Sequence, residues 1–390
     1  MELSIIIVNY NVKYFLEHCL HAANAAMQSL NGEIIVVDNH SSDESLAYLK
    51  PKYPSVIFIE NKKNTGFAKA NNQGLGIAKG EYVLYLNPDT IIAENTLIDC
   101  IHFLDNHKDA AAAGVQLLTG SGIFLPESKR SFPSAMTSFY KLFLIEKIFP
   151  KSKTFGKYSL GFLDKNKVHD VDVLAGAFII ARIDLLKKIN GFDERYFMYG
   201  EDIDLSYELQ KTGYKNYYLG NLPIIHFKGE STKKASKEYV KIFYGAMRLF
   251  VEKHYKGSSG FFYTNFLKLA IKGRSAVAAL AKPFEKVENP SVFFEKIFLT
   301  GDNIAAKQAK NICIRNFPGA QCFIQNNADV NFATEKTDAI IFCIGEKFSY
   351  QNAIDMLRKN APAENVFWFY ENGESIIGSS SKNCPGKVMV

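Results

Sequence analysis

Four short apolar runs dominate the first ninety residues: LSIIIV at 3–8, EIIVVD at 33–38, VIFIE at 56–60 and YVLYL at 82–86. None alternates cleanly between apolar and polar, which is the pattern of strands buried on both faces. Between them lie stretches with helical spacing. Val12–Leu30 places Phe15, Cys19, Ala22, Ala23 and Ala26 on one face, and Phe67–Ala78 reads as a second helix. Strands alternating with helices imply βαβ units, a parallel sheet and right-handed crossovers. No GxGxxG follows the first run, so this Rossmann-type half-sheet lacks the dinucleotide fingerprint.

Each run that matters ends in a polar cluster: Asn9-Tyr10-Asn11, Asp38 to Asp43, and Asn87-Pro88-Asp89. A parallel sheet brings such ends to one edge, where open α/β folds bind ligands. Asp89 is therefore a candidate ligand for a divalent metal beneath a nucleotide diphosphate, although Asn-Pro-Asp also suits a plain turn. Asp38 can accept a hydrogen bond from a base ring N–H. Asp38 and Asp43 can equally cap a helix, and for Asp43 capping is the favoured role.

Further along, Glu94–His107 reads as a helix and Ala110–Gln116 as a small-residue strand. The segment 126–158 is different in kind. Lys129, Arg130, Lys141, Lys147, Lys151, Lys153 and Lys157 interleave with six aromatic rings, which suits either an acceptor-side loop touching an anionic membrane or a helical lid with aromatic core. Val171–Ala181 reads as a buried strand interrupted by Gly176, a position that points to a bulge or a close backbone approach. Glu201, Asp202 and Asp204 fall in the first turn of a helix. The helix dipole favours carboxylates there, yet three in four residues exceed what capping needs. Crowding of like charges raises one pKa, which suits a general base. Tyr214–Leu219 and Leu222–Phe227 read as two strands, the second ending at His226.

Lys233–Tyr255 is a basic amphipathic helix, and Phe261–Ala281 has an apolar face opposite Asn265, Lys268 and Lys272, as a helix lying on a membrane or a partner would. Its charges make a simple membrane span too costly. A composition shift near Pro283 and Pro290 marks a boundary. The expected organisation is a first domain over residues 1–255, an amphipathic helical linker over 256–289, and a small α/β domain over 290–390 whose role the sequence does not define. The six cysteines form no CxxC pair, and no basic leader precedes the first apolar run, so a reduced, cytoplasmic protein is expected. A net charge of +6 is modest, and no nucleic-acid partner is expected.

Taken in order, SIIIVNYN, VVDNHSSD, NKKNTGFAKANNQG, YLNPD, LAGAF, GFDERYFMYGEDIDLSYELQKTGY and IIHFKGES resemble the family 2 glycosyltransferases, in the bacterial rhamnosyltransferase-like branch. The resemblance covers about residues 1–255. It implies a GT-A type, Rossmann-like, mostly parallel sheet flanked by helices. It also implies inverting transfer of a sugar, from dTDP-rhamnose or a UDP-sugar, to a hydroxyl of a saccharide or lipid-linked acceptor in cell-surface polysaccharide synthesis. By position, Asn9 and Tyr10 fall at the base and ribose, Asp38 at the pyrimidine, and Thr65, Gly66, Lys69, Asn71 and Asn72 beside the donor. Asp89 matches the metal-binding carboxylate of a DxD motif whose first position is Asn87 here. His226 matches a histidine that completes the metal site, for Mg²⁺ or Mn²⁺, and Asp202, next to Glu201, matches the catalytic base. The competing expectation is a non-catalytic, nucleotide-sugar-binding scaffold subunit of an assembly complex. A nucleotidyltransferase would need a Gly-rich, Lys-bearing phosphate loop, which is missing. The basic–aromatic segment and the 261–281 helix imply a peripheral position on the inner membrane face. No motif bears on oligomeric state.

Overall fold

The computed structural model describes residues 1–227, 237–255, 294–325, 338–361, 365–379 and 387–390. The four apolar runs become parallel strands β1 (Leu3–Asn9), β2 (Gly32–Asp38), β3 (Ile57–Glu60) and β4 (Tyr82–Leu86). All seven residues of β1 are buried, which is why its sequence shows no alternation. Past β4 lie β5 (Thr90–Ile91), β6 (Ala110–Leu118), β7 (Lys129–Arg130), β8 (Val168–Val171), β9 (Val173–Leu174), β10 (Phe178–Arg182) and β11 (Lys215–His226). The nine-stranded sheet runs β3-β2-β1-β4-β10-β6-β11-β5, with β8 also on β11 and β7 pairing with β9 apart from it. Strand β10 lies antiparallel between β4 and β6, and β11 runs parallel to β6. It follows that Asn9, Asp38, Asn87 and His226 all end at one edge, joined there by the start of β10. This is the mostly parallel, helix-flanked sheet of the expected GT-A type.

Two expectations change in detail. The strand expected over 171–181 is split into β9 and β10 around Ala175–Ala177. The two strands expected over 214–227 are one, β11, with a register shift between Leu219 and Pro223. The helical linker expected over 256–289, including 261–281, lies outside the described residues.

Helices cover both faces: α1 (Lys13–Met27), α2 (Ser45–Leu49) and α4 (Thr96–Asn106) on one, and α3 (Phe67–Ile77), α7 (Ile183–Lys188) and α8 (Glu201–Lys211) on the other. Two short helices, α5 (Ala135–Leu142) and α6 (Ile145–Ile148), form the basic–aromatic segment, and α9 (Lys237–His254) packs on α8. A second sheet, ordered β13-β12-β14-β15-β16-β17, comprises Lys296–Gly301 (β12), Gln321–Gln325 (β13), Ala339–Ile344 (β14), Val366–Tyr370 (β15), Ile376–Ser379 (β16) and Lys387–Met389 (β17). Helices α10 (Asn303–Asn316) and α11 (Tyr350–Asn360) accompany it. The Asp302 carboxylate accepts the N–H groups of Ile304 and Ala305 at the start of α10. It thus satisfies the first N–H groups of the helix as its N-cap.

The second sheet joins the first through α1. Leu16, Leu20 and Ala23 share one apolar cluster with Phe342, Trp368 and Ile377. Glu94 accepts the N–H groups of Tyr350 (2.8 Å) and Gln351 (3.0 Å) and so caps α11. His18 Nε2 lies 3.1 Å from the Ser375 carbonyl, and His21 stacks on Tyr370 at 4.1 Å. Burial pushes the His18 pKa down to about 3 and that of His21 to about 4, from an ordinary 6.5. The unfolded chain therefore binds protons that the folded chain refuses. Stability is complete above 6.5 and falls as the pH drops through 6.5 toward 4 and then 3. The loss is roughly 2 kcal/mol per imidazole by about pH 5. The fluorescence of Trp368, the only tryptophan and buried beside these contacts, monitors the transition. His21→Phe should remove about half of the dependence, the His18 half remaining, and a wild-type melting curve unchanged between pH 7 and 5 would overturn this account.

Candidate active site

A cleft of about 300 Å³ opens at the shared edge, lined among others by Tyr10, Asn39, Asn87, Asp89, Asp202 and His226. The abrupt end of β4 throws Asn87 and Asp89 into it. Strand β11 then pairs with β5 so that His226 stands opposite Thr90, the residue after Asp89. His226 Nε2 lies 3.4 Å from Asp89 Oδ1 and 3.4 Å from Asn87 Nδ2. Two ligand atoms held by one ion at about 2.1 Å stand roughly 3–3.5 Å apart, so carboxylate and imidazole are spaced to share a divalent metal. Asn87 contributes no charge. His226 Nδ1 is buried without a hydrogen-bond partner among the described residues, so none of these gives the ring the outer support usual for a ligating histidine.

Helix α8 contributes Glu201 and Asp202 to the same lining. It starts from Tyr199 (φ +68°) and Gly200 (φ +82°), both left-handed. A Cβ on Gly200 would stand 3.2 Å from Ala246 Cβ, so this tight entry suits glycine. The turn sets Glu201 and Asp202 at the cleft. Asp202 Oδ2 accepts hydrogen bonds from Arg130 (2.5 Å) and from the Gly176 N–H (3.2 Å), and Oδ1 accepts the Ile203 N–H at 2.8 Å. The close approach at Gly176 is thus made by Asp202: a Cβ there would lie 3.3 Å from Asp202 Cβ. Burial, and then the adjacent Asp202, push the Glu201 pKa up to about 8. Glu201 therefore holds its proton to a higher pH than an ordinary carboxyl does. The raised pKa expected of the crowded carboxylates falls on Glu201, because Glu201 is the more buried of the two. Asp204 does not belong to this group. It faces α9, where Lys253 (2.8 Å) and His254 (2.6 Å) engage it. Asp204, Glu208 and His254 are close enough to share a cation, but the Lys253 ammonium already sits against Asp204 and Glu208.

The remaining predicted residues form a scaffold beneath the cleft. Asn9 and Asp38, at adjacent strand ends, bond to each other at 2.7 Å, and Asp38 also accepts the Ser41 N–H. Both are buried and neither lines the cleft, whereas Tyr10 does. Thr65 and Gly66 are held by Asn39, whose Oδ1 accepts the Thr65 N–H and hydroxyl and whose Nδ2 donates to the Gly66 carbonyl. Gly66 sits at φ +86°, and a Cβ there would lie 2.7 Å from the Phe197 carbonyl oxygen. Lys69 is exposed and meets Glu194 at 3.6 Å. Asn71 bonds the Phe67 carbonyl and Asn72 the Phe192 carbonyl, so both side chains hold α3 in place, outside the cleft lining. Sequence reasoning passed over Asn39, Asn64 and Glu127 in the lining, and Arg130 as the partner of Asp202. Asn39 directly follows Asp38 at the strand end, a signal that was available. Arg130 had none beyond its basic–aromatic surroundings.

Residues 4–172 match the model of Glycosyl transferase family 2. The chain is 24% identical over 266 residues to the N-acetylglucosaminyl-diphospho-decaprenol L-rhamnosyltransferase of Mycobacterium tuberculosis, covering 65% of this chain and 85% of that protein. It is 28% identical over 233 residues to Rhamnosyltransferase WbbL of Escherichia coli, covering 57% and 82%. Among solved structures, S. aureus TarS 1–349 in complex with UDP aligns with a TM-score of 0.43 at 20% identity, over 74% of this chain and 76% of TarS. The matched family stretch holds β4 and Asp89 but stops before α8 and His226.

Proposed function

Residues 4–172 form a family 2 glycosyltransferase domain, and from this premise we propose that the chain is a metal-dependent, inverting glycosyltransferase of cell-surface polysaccharide synthesis. The donor is a nucleotide-diphosphate sugar, dTDP-rhamnose first and a UDP-sugar second. The acceptor is a hydroxyl of a saccharide or lipid-linked saccharide. The rhamnosyltransferase relatives support the donor class, and the carrying observation is one cleft lined by Asp89, His226 and Asp202 together.

Asp89 and His226 would hold Mg²⁺ or Mn²⁺, and when bound the ion supplies Lewis-acid neutralisation of the departing diphosphate. Tyr10, in the cleft lining and next in sequence to the Asp38-bonded Asn9, would meet the nucleoside. Asp202 takes the proton of the acceptor hydroxyl as that oxygen attacks the anomeric carbon from the face opposite the diphosphate. One carbon–oxygen bond forms, the bond to the diphosphate breaks with its electron pair, and a single displacement inverts the centre. Arg130 and the Gly176 N–H fix the carboxylate's orientation.

A thermal-shift screen of dTDP-rhamnose, UDP-sugars and GDP-sugars with Mn²⁺ tests this. The true donor at 100 times its Kd adds about 2.7 kcal/mol, a rise of several degrees. If no nucleotide sugar moved the melting point at millimolar concentration, the proposal would fall. Hydrolysis of the bound donor in the presence of Mn²⁺ separates this enzyme from a scaffold subunit, which would bind without turnover.

The proposed location is the cytoplasmic membrane surface. Among the described residues no helix is long and apolar enough to cross a membrane. Around α5 and α6, however, Phe143, Leu144, Ile148 and Phe149 are about half exposed or more, with Lys141, Lys147 and Lys151 exposed among them. Apolar tips ringed by lysines suit an anionic bilayer.

A further inference from the structure

We propose that a pocket of about 890 Å³ beside the catalytic cleft is a subsite for a phosphate-class anionic group on the acceptor. This rests on the glycosyltransferase reading above and adds the chemistry that selects the acceptor. The pocket shares Glu127 and Arg130 with the cleft, so its inner end abuts the wall that carries Asp202. Six cations line it, Lys129, Arg130, Lys141, Lys147, Lys151 and Lys165, against three carboxylates, Glu127, Glu146 and Asp164.

Two features separate this from an ordinary solvated basic face. Lys129 is only 1% exposed, and its ammonium bonds the carbonyl oxygens of Leu160 (2.5 Å) and Ser159 (3.4 Å). Two carbonyls and the pull of the nearby Asp164 carboxylate only partly offset the cost of holding this cation out of water, and an anion in the pocket would add to them. Arg130, which with Glu127 is common to both cavities, has a buried Nε with no hydrogen-bond partner among the described residues. Lys141, Lys147 and Lys151 stand exposed at the rim, Lys141 over the Tyr158 ring at 3.9 Å. Part of Glu146 is already spent, since it accepts the Ser159 N–H at 3.2 Å. An acceptor anchored by its phosphate against Lys129 and the rim would direct its sugar hydroxyl across Arg130 to Asp202.

Such a phosphate belongs either to a lipid diphosphate or to an alditol-phosphate polymer. Binding of decyl diphosphate and of oligo(ribitol phosphate) is measured by calorimetry on the full chain and on Lys147→Glu/Lys151→Glu, with UDP and Mn²⁺ as the control ligand. The expected result is that wild type binds one of the two anions. The variant weakens that binding by 10-fold or more, its UDP affinity and melting point unchanged, and rising salt weakens wild-type binding more steeply than the variant's. Whichever anion binds identifies the source. If wild type binds neither, or if the variant binds as tightly as wild type, the subsite is overturned even where UDP binding stands. If UDP fails to bind wild type as well, the underlying glycosyltransferase reading falls too.

Discussion

Asp202→Asn should lower sugar transfer on the order of 10³-fold while leaving donor affinity nearly unchanged, since a general base contributes about 10²–10⁴ in rate. The amide keeps the shape and an oxygen for the Gly176 N–H but cannot take the acceptor proton. It also strips Arg130 of its counter-charge. Their side chains are 12% and 15% exposed, so breaking the pair costs stability, by about 3–5 kcal/mol if the buried-pair figure applies in full. Folding and catalysis must therefore be read separately. The double variant Arg130→Met/Asp202→Asn removes both charges and should recover much of the lost melting temperature without recovering the rate. Donor affinity by calorimetry, transfer by product release and melting by calorimetric scan give the three readouts. Transfer at the wild-type rate in a folded Asp202→Asn protein would remove Asp202 from the role of base.

Asp89→Ala is the second large effect. Of the three side chains that meet at the β4 turn, only Asp89 carries a negative charge, because Asn87 stands in the first DxD position. Losing it should weaken Mn²⁺ binding and cut transfer on the order of 10³-fold, the size of a Lewis-acid contribution of several kcal/mol. The decisive comparison is a Mn²⁺ titration. Wild-type activity should saturate with the ion, and the variant's should need far more of it or fail to respond. If Asp89 and His226 were no more than an ion pair, the variant would melt earlier yet show the wild-type Mn²⁺ response, and the metal assignment would be lost.

Much of the first sheet was legible because doubly buried strands write themselves as unbroken apolar runs. The direction of β10 was not legible. An antiparallel strand between β4 and β6 has the same composition as a parallel one. The pairing of His226 with Thr90 depends on the long strand β11, which Gly220 and Asn221 make look like two. Asp204 was legible and was misplaced. Residues two apart on a helix do not share a face, so Asp202 and Asp204 had to point to different neighbours. Asn71 and Asn72 sit in a stretch that resembles donor-binding segments, but their turn of α3 presents them to backbone carbonyls. Arg130 stayed hidden because it meets Asp202 across 72 residues of sequence.

The attachment of the second sheet to α1 has a consequence for how the molecule is made. His18 finds Ser375 across 357 residues. By the time residue 255 leaves the ribosome, every side chain of the cleft has been synthesised, yet one flank of α1 still faces water. The nascent first sheet must wait, with apolar surface uncovered, for strands β14 to β16 to arrive. Contacts of such long sequence separation form slowly and leave intermediates open to aggregation. The second sheet thus acts as a late-arriving cover, tying the birth of a working cleft to the synthesis of strands more than a hundred residues downstream of it.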